Sequence, residues 1–390
     1  MLVLLLLLLC CAEGRRGGAR CHGHRPPEPQ IALAARPRVR DAQAGCAQDA
    51  PAPGDRSRPL DVTLVTQASQ NRLWMLPHIC RRWGGPMIVA SLRPATGSPI
   101  RWPAMGGGVA SSSIRSCSLL RIELPSSSTQ KEEGYSAYPV NALRNAGIRC
   151  VATTHYFLTD VDFWPSTELR GLLAPQLRNW PAQLALVVPA FERKSPKSRR
   201  FPGGSCDIKR ANDSACHAAW QRGEIEMPAD FQSLQCCLSA GDCAVFDSRF
   251  NPEGQDAAGA KEWASLGRAA RRAVPCFKSG RYEPYVVLER TAATPTFDER
   301  FRGYGKNKME HLVHLRHAGY FFEVLGHGFL VHFPHKRSED KSQWLFGRAP
   351  TRNSVNRLFE SFIGELKLRY GVDDGLRLRT PICNHQTKVK

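Results

Sequence analysis

The stretch Tyr156-Phe157-Leu158-Thr159-Asp160-Val161-Asp162-Phe163 ends an apolar run in two carboxylates with one residue between them. A strand predicted over 155–158 delivers both at its carboxyl end, the edge at which open α/β sheets bind ligands. Two aspartates there can hold a hard divalent cation, Mn²⁺ or Mg²⁺, which in turn grips phosphate oxygens. The need for such an ion is electrostatic, because a departing diphosphate gathers negative charge that must be neutralised. Late in the chain, Leu330-Val331-His332-Phe333-Pro334-His335 closes a second apolar run on histidine. His332 is a candidate third ligand and His335 a candidate cleft residue. A lone histidine on a strand is commonly structural, and only the paired aspartates give this one a ligand reading. Ahead of the aspartates, Tyr138-Pro139-Val140-Asn141-Ala142-Leu143-Arg144-Asn145 predicts a helix with proline in its first turn. Asn141 and Arg144 then share a face, three residues apart. A guanidinium there suits a nucleotide phosphate or a sugar carboxylate by paired hydrogen bonds.

These residues need a scaffold, and the pattern around them supplies one. Residues 61–66 (DVTLVT) predict a strand. Residues 70–83 predict a helix with Leu73, Leu76, Ile79, Cys80 and Trp83 on one face, interrupted by Pro77. Gly84-Gly85-Pro86 ends it, and MIVASL begins a second strand. Strand, helix, strand at this spacing is a βαβ unit and implies parallel pairing. Further strands are expected over 118–124, 184–189 and 284–289, and two within 320–333. Helices are expected over 139–149, 168–178 (broken), 214–221, 258–272 and 354–370, the last with a Ser354 N-cap. The sum is an α/β fold with a mostly parallel central sheet flanked by helices. Residues 93–130 carry little pattern and read as a long loop or insertion. Residues 193–280 read as an irregular, basic, Cys-bearing insertion. Cys206, Cys216, Cys236, Cys237, Cys243 and Cys276 crowd it without a CxxC pair, which favours one or two disulfides over a zinc site and leaves their connectivity open.

Composition limits the classes available. With 42% hydrophobic and 23% charged residues among 390, the chain is not wholly disordered, collagenous or a polytopic membrane protein. Its formal charge of +19 draws anions: nucleic acid, acidic polysaccharide, nucleotide phosphates or acidic membranes. No nucleic-acid-binding module accompanies that charge, so nucleic acid is not expected as a partner. Residues 2–11 (LVLLLLLLCC) are too few to span a bilayer and suit the core of a signal peptide or short signal-anchor over 1–12. Entry into the secretory pathway agrees with the 14 cysteines and with the sequon at Asn212-Asp213-Ser214. Residues 13–59, rich in Arg, Pro, Ala and Gly, read as a disordered basic stem. Residues 60–375 read as the folded domain and 376–390 as a flexible tail.

Eight segments in series carry a resemblance. They are DVTLVTQASQNRLWML, GYSAYPVNALRNAG, YFLTDVDFWPS, ALVVPAFER, YEPYVVLER, TPTFDERFRGYGKNK, FEVLGHGFLVHFPH and the terminal helix ending ELKLRYG. Over most of 61–371 the chain resembles glycosyltransferase family 49, of LARGE type and β-1,4-glucuronyltransferase-like. The resemblance implies a GT-A fold and a metal-dependent, inverting transfer from a UDP-sugar, UDP-glucuronate first and UDP-xylose as an alternative, to a glycan or glycoprotein acceptor. It implies a Golgi-lumenal, type II-like or secreted protein, with the N-terminus as a membrane attachment in the first case. By position, Asp160 and Asp162 would bind metal and diphosphate, and His332 the metal. Asn141 and Arg144 would bind the donor, Thr66 and Gln67 would lie beside uridine, and Glu283, Asn307 and Lys308 would line the cleft. Inversion needs a base for the acceptor hydroxyl. The turn Gly303-Tyr304-Gly305-Lys306-Asn307-Lys308 holds no carboxylate, so Glu283 is the first candidate and Asp298 or Glu310 the next. The poorly matching 92–130 and 200–280 leave the acceptor open. The competing reading is an inactive GT-A domain that binds acidic glycans through Arg193, Lys194, Lys197, Arg199 and Arg200.

Overall fold

Runs of aliphatic and β-branched residues become strands because a pleated surface packs their branched side chains well. The computed structural model describes residues 38–43, 57–94, 98–103, 117–125, 138–194, 213–248, 251, 259–335, 338, 341–342, 344, 349–371 and 378–383. The strands are β1 (Arg38–Gln43), β2 (Val62–Gln67), β3 (Pro86–Leu92), β4 (Ser118–Leu124), β5 (His155–Asp160), β6 (Phe163–Pro165), β7 (Leu184–Val188), β8 (Ala190–Arg193), β9 (Cys243–Val245), β10 (Arg271–Val274), β11 (Tyr285–Glu289), β12 (Phe321–Leu325) and β13 (Leu330–His332). The main sheet has the order β1-β4-β3-β2-β5-β11-β7-β12-β10. β11 and β10 run against their neighbours and every other pairing is parallel. Strands β2, β5 and β7 are buried along nearly their whole length, the signature of a sheet covered on both faces. A smaller sheet, β6-β13-β8-β9, stands at the carboxyl end of the first and receives the chain directly from β5 and β7.

The expected helix over 70–83 divides in two. Gln70–Met75 is a 3₁₀ turn, and α1 (Leu76–Trp83) begins just ahead of Pro77. Proline in a first turn lacks only an N–H that has no intrahelical partner, so Pro77 marks a helix start and not a kink. Gly84 ends α1 at φ 59°, and its N–H bonds to Cys80 O at 2.9 Å. The helix α2 (Val140–Arg149) packs on β2 and β3. The remaining helices used below are α3 (Asp213–Gln221), α4 (Phe231–Ser239), α5 (Met309–His317) and α6 (Ala349–Tyr370).

Four boundaries differ from the sequence reading, one of them the tail expected over 376–390, where Ile382 bridges to Phe277 and Cys383 is disulfide-bonded to Cys276. Order does not begin at Leu60: β1 lies inside the presumed stem and pairs in parallel with β4. Arg58 is buried and donates to the carbonyls of Arg290 (3.1 Å) and Val151 (3.4 Å). The helix expected over 258–272 is a single turn, Ala260–Ala264, after which the chain turns into β10. The terminal helix starts at Ala349, so Ser354 lies within it and caps nothing. Its Phe359, Phe362 and Leu366 pack with Phe301 as a satellite core. The leader over 1–12, the sequon's Asn212 and residues 384–390 lie outside the described residues. Among the described residues no helix is long and apolar enough to cross a membrane.

Disulfides Cys80–Cys117, Cys237–Cys243 and Cys276–Cys383 pin these parts together, and Cys150 and Cys216 are also disulfide-bonded. The first ties α1 to the start of β4, so the poorly patterned 93–130 carries a strand of the main sheet. Gly147, in the last turn of α2, allows a close approach to β2: a Cβ there would stand 2.6 Å from Val65 Cγ1. Alanine usually stabilises a helix interior over glycine. Here Gly147→Ala should instead destabilise by about 1–3 kcal/mol through overpacking, measured by urea unfolding. A variant as stable as the parent would show that α2 and β2 can move apart freely.

Candidate active site

Strand register sets the site. Thr66 pairs with Thr159 and Gln67 with Asp160, so β2 and β5 end side by side. Asp160 is the last residue of β5, and each of its oxygens takes two donors. Oδ1 accepts from Arg144 Nη2 (2.9 Å) and Gln67 Nε2 (3.2 Å). Oδ2 accepts from Tyr285 Oη (2.8 Å) and Lys308 Nζ (3.1 Å). Burial alone would raise this carboxyl, but Lys308 and Arg144 outweigh it and hold it well below the usual carboxylate range.

Arg144 is itself held. It is buried, and its Nη1 donates to Asn141 Oδ1 (2.9 Å), Asn307 Oδ1 (3.0 Å) and Asn307 O (3.2 Å). Asn141, fully buried, donates to Asp298 O (2.9 Å) and Glu310 Oε1 (3.1 Å). Asn307 donates to Gly303 O at 2.7 Å inside the glycine-rich turn, where Gly303, Gly305 and Lys306 all take positive φ. The expected pair Asn141 and Arg144 thus joins α2, the turn and β5 in one network.

Two residues on, Asp162 meets a different set. Its Oδ2 accepts from Arg72 Nη1 (2.7 Å) and lies 2.8 Å from His335 Nε2 and 3.8 Å from His332 Nε2. The two Nε2 atoms are 3.1 Å apart, and Arg72 Nη2 lies 2.9 Å from His335 Nδ1. Among the described residues, Asp162, His332 and His335 form the group whose ligand-type atoms all lie within 4.8 Å of one another. Asp162 Oδ1 is buried with no hydrogen-bond partner. A carboxylate with Oδ2 beside two imidazole nitrogens and Oδ1 buried without a partner is a donor set suited to a transition-metal cation, and the residues fit one. Burial pushes His332 down to about 4, so its ring is neutral at pH 7, the form that ligates.

The other expected residues are placed as follows. Glu283 Oε2 lies 3.8 Å from Lys308 Nζ, and burial raises its carboxyl against the pull of Lys308 and Arg144. Asp298 turns its carboxylate to Arg300 (2.6 Å), which also grips Glu365 of α6 (2.7 Å). It does not join the group at the strand ends. Glu310 is fully buried beneath Asn141, and burial pushes its carboxyl well above the ordinary glutamate value. Thr66 is buried, and its Oγ1 has no hydrogen-bond partner. Sequence reasoning missed Arg72 and Tyr285. Arg72 sits on the 3₁₀ turn after β2, in a stretch whose apolar helical spacing drew attention away from it. Tyr285 opens an antiparallel strand whose position beside β5 no local pattern reveals.

A mostly parallel sheet with an aspartate pair at the end of a central strand, met by one histidine that ends β13 of a second small sheet and another just after it, is the architecture of the GT-A fold. Residues 108–371 match the family model described as glycosyl-transferase for dystroglycan, and the chain belongs to glycosyltransferase family 49. It is 31% identical over 326 residues to mouse "Xylosyl- and glucuronyltransferase LARGE2", matching 80% of this chain and 40% of that one. It is 29% identical over 315 residues to human "Xylosyl- and glucuronyltransferase LARGE1", matching 80% of this chain and 36% of that one. The chain therefore spans about two fifths of the length of these curated relatives. Among solved structures, S. aureus TarS (TM-score 0.34, 10% identity) covers 73% of this chain and 38% of its own. GalNAc-T7 with UDP, GalNAc and Mn²⁺ (TM-score 0.35, 9% identity) covers 73% and 46%.

Two outcomes test this geometry. Arg144→Met removes one cation from a buried pair and should cost roughly 3 kcal/mol in urea unfolding; a neutral result would mean that Lys308 alone balances Asp160. Glu310 is favoured in its neutral form, so its stabilisation is complete below the unfolded glutamate value and is lost as pH rises through the raised folded value. Glu310→Gln cannot titrate, so the stability of wild type relative to this variant should decline from acid to neutral pH. A difference that stays constant with pH would place an ionised carboxylate at that site.

Proposed function

We propose that this chain transfers a sugar from a UDP-sugar, glucuronate from UDP-glucuronate in the first instance, to a glycan acceptor with inversion at the anomeric carbon. The observation that carries this is the convergence of Asp162, His332 and His335, with its orphaned carboxylate oxygen, beside the charged network on Asp160. Family membership and the xylosyl- and glucuronyltransferase names of the relatives support the donor class.

Asp162, His332 and His335 would hold Mn²⁺ in preference to Mg²⁺, because two of the three donors are imidazoles and Mg²⁺ takes oxygen ligands. When bound, the ion would neutralise charge on the departing diphosphate. The chain's own residues do the rest. Arg144 and Lys308, fixed by Asp160, present positive charge to the same edge. Gln67 and Thr66, at the end of β2, would face the uridine. Asn141 positions Arg144, and Asn307 closes the turn over it. The disulfides agree with residence in the secretory pathway, the Golgi lumen for a family of this kind.

The test is UDP release from UDP-glucuronate by the purified chain. Release should require Mn²⁺, stop with EDTA and fall about a hundredfold or more in Asp162→Asn, a loss at least as large as that for residues that only support a ligand. UDP-xylose run in parallel decides the donor. Undiminished release in EDTA or in the variant would reject the metal-dependent reading, and no release from any UDP-sugar would favour an inactive glycan-binding domain.

A further inference from the structure

Each carboxylate proposed from the sequence as the proton acceptor has another commitment in the structure. Asp298 is turned to Arg300, Glu310 is fully buried under Asn141, and Glu283 stands against Lys308. A different carboxylate, Asp247, lies next in the chain to a residue that packs on His332. Asp247 follows β9, which pairs with β8 on the edge of the small sheet. The residue before it, Phe246, lays its ring 5.0 Å from the His332 ring and 4.7 Å from Phe163. The chain therefore passes directly beside the proposed metal group as it leaves β9.

Asp247 is fixed there in a backbone conformation that non-glycine residues seldom adopt, φ 54°. Its N–H bonds to Glu192 Oε2 (3.4 Å), and its carbonyl accepts from Asn251 N (2.9 Å). Such strain persists where the surroundings over-determine it, and it clusters at functional sites. Among the described residues its carboxylate accepts no hydrogen bond. The charged groups near enough to act on it are Glu192, Glu283, Lys308 and Lys341. Lys308 is the residue that binds Asp160, so Asp247 stands within electrostatic reach of the donor network. Lys341 reaches over the Tyr304 ring (5.5 Å) on the glycine-rich turn and closes that side.

We propose that Asp247 is the catalytic base. It would take the proton of the acceptor hydroxyl as that oxygen bonds to the anomeric carbon, while the bond from that carbon to the diphosphate oxygen breaks and its electron pair leaves with UDP. The proposal rests on the transferase reading above. Burial raises the Asp247 carboxyl above the ordinary aspartate value, with Lys341 and Lys308 opposing, which suits a group that must accept a proton in turnover. It also explains why sequence missed the base: Asp247 belongs to the Cys-bearing stretch, where this chain keeps little of the family's pattern.

The experiment measures UDP release from UDP-glucuronate with Mn²⁺, using water as acceptor, beside calorimetric binding of UDP with Mn²⁺. Asp247→Asn retains a residue that tolerates positive φ. It should bind UDP like wild type, lose about 10²–10⁴-fold in kcat, and lose the acid limb of the pH–rate profile. Asp247→Ala should regain UDP release with azide, a nucleophile that has no proton to surrender, and yield a glucuronosyl azide. Wild-type kcat in Asp247→Asn, or no azide rescue in a variant that still binds UDP, overturns the assignment to Asp247 alone. A wild-type chain that neither binds nor releases UDP overturns the transferase reading and this proposal with it.

Discussion

The arrangement at the sheet edge depends on one carboxylate being satisfied from four directions. Asp160 ends a buried strand, where an unpaired charge would be costly. Arg144 arrives from α2, Lys308 from the glycine-rich turn, Tyr285 from β11 and Gln67 from β2. Those four elements are distant in sequence, so neutralising a single side chain fixes how strands, helix and turn meet. The same interaction frees Asp162, two residues later, for different partners. Adjacent carboxylates thereby acquire different tasks from their surroundings, one organising cations and the other offering an oxygen.

The second constraint is topological. The small sheet is built from β6 and β8, which continue β5 and β7 beyond the main sheet, together with β13 and β9. Pairing β13 with β6 sets His332 opposite Phe163, immediately beyond Asp162. A backbone bond from Phe333 N to Asp162 O (2.8 Å) locks that alignment. The aromatic rings of Phe163, Phe246 and Tyr285 pack around it and exclude water from one side. Histidine and aspartate therefore meet through strand pairing, and side-chain attraction adds only the final approach.

Much of this was legible in the sequence because it follows local rules. The βαβ beginning, the apolar strand ending in Asp160 and Asp162, and the helical face shared by Asn141 and Arg144 all follow from short-range periodicity. The glycine-rich turn was placed by the family resemblance. What stayed hidden was long-range. Tyr285 enters only because β11 runs antiparallel between β5 and β7, and Arg72 only because a 3₁₀ turn carries it back over the strand ends. His335, expected in the cleft, reaches Asp162 only because β13 pairs with β6. The strand β1 was masked by a composition that otherwise suits an unfolded stem. Pro77 misled because its cost depends on whether a helix starts or continues at that position.

The bridge between Cys276 and Cys383 closes 107 residues and is accompanied by a backbone bond from Phe277 N to Pro381 O (2.8 Å). Phe277 packs on Phe322 of β12, so the far carboxyl end of the chain is stitched onto the sheet. Anyone producing this protein inherits that stitch as a practical boundary. A shortened version stopping at the end of α6 would strand a thiol at position 276 and expose an aromatic cluster to solvent. Manufacture in a reducing cytoplasm would leave even a chain that reaches past Cys383 without its clasp.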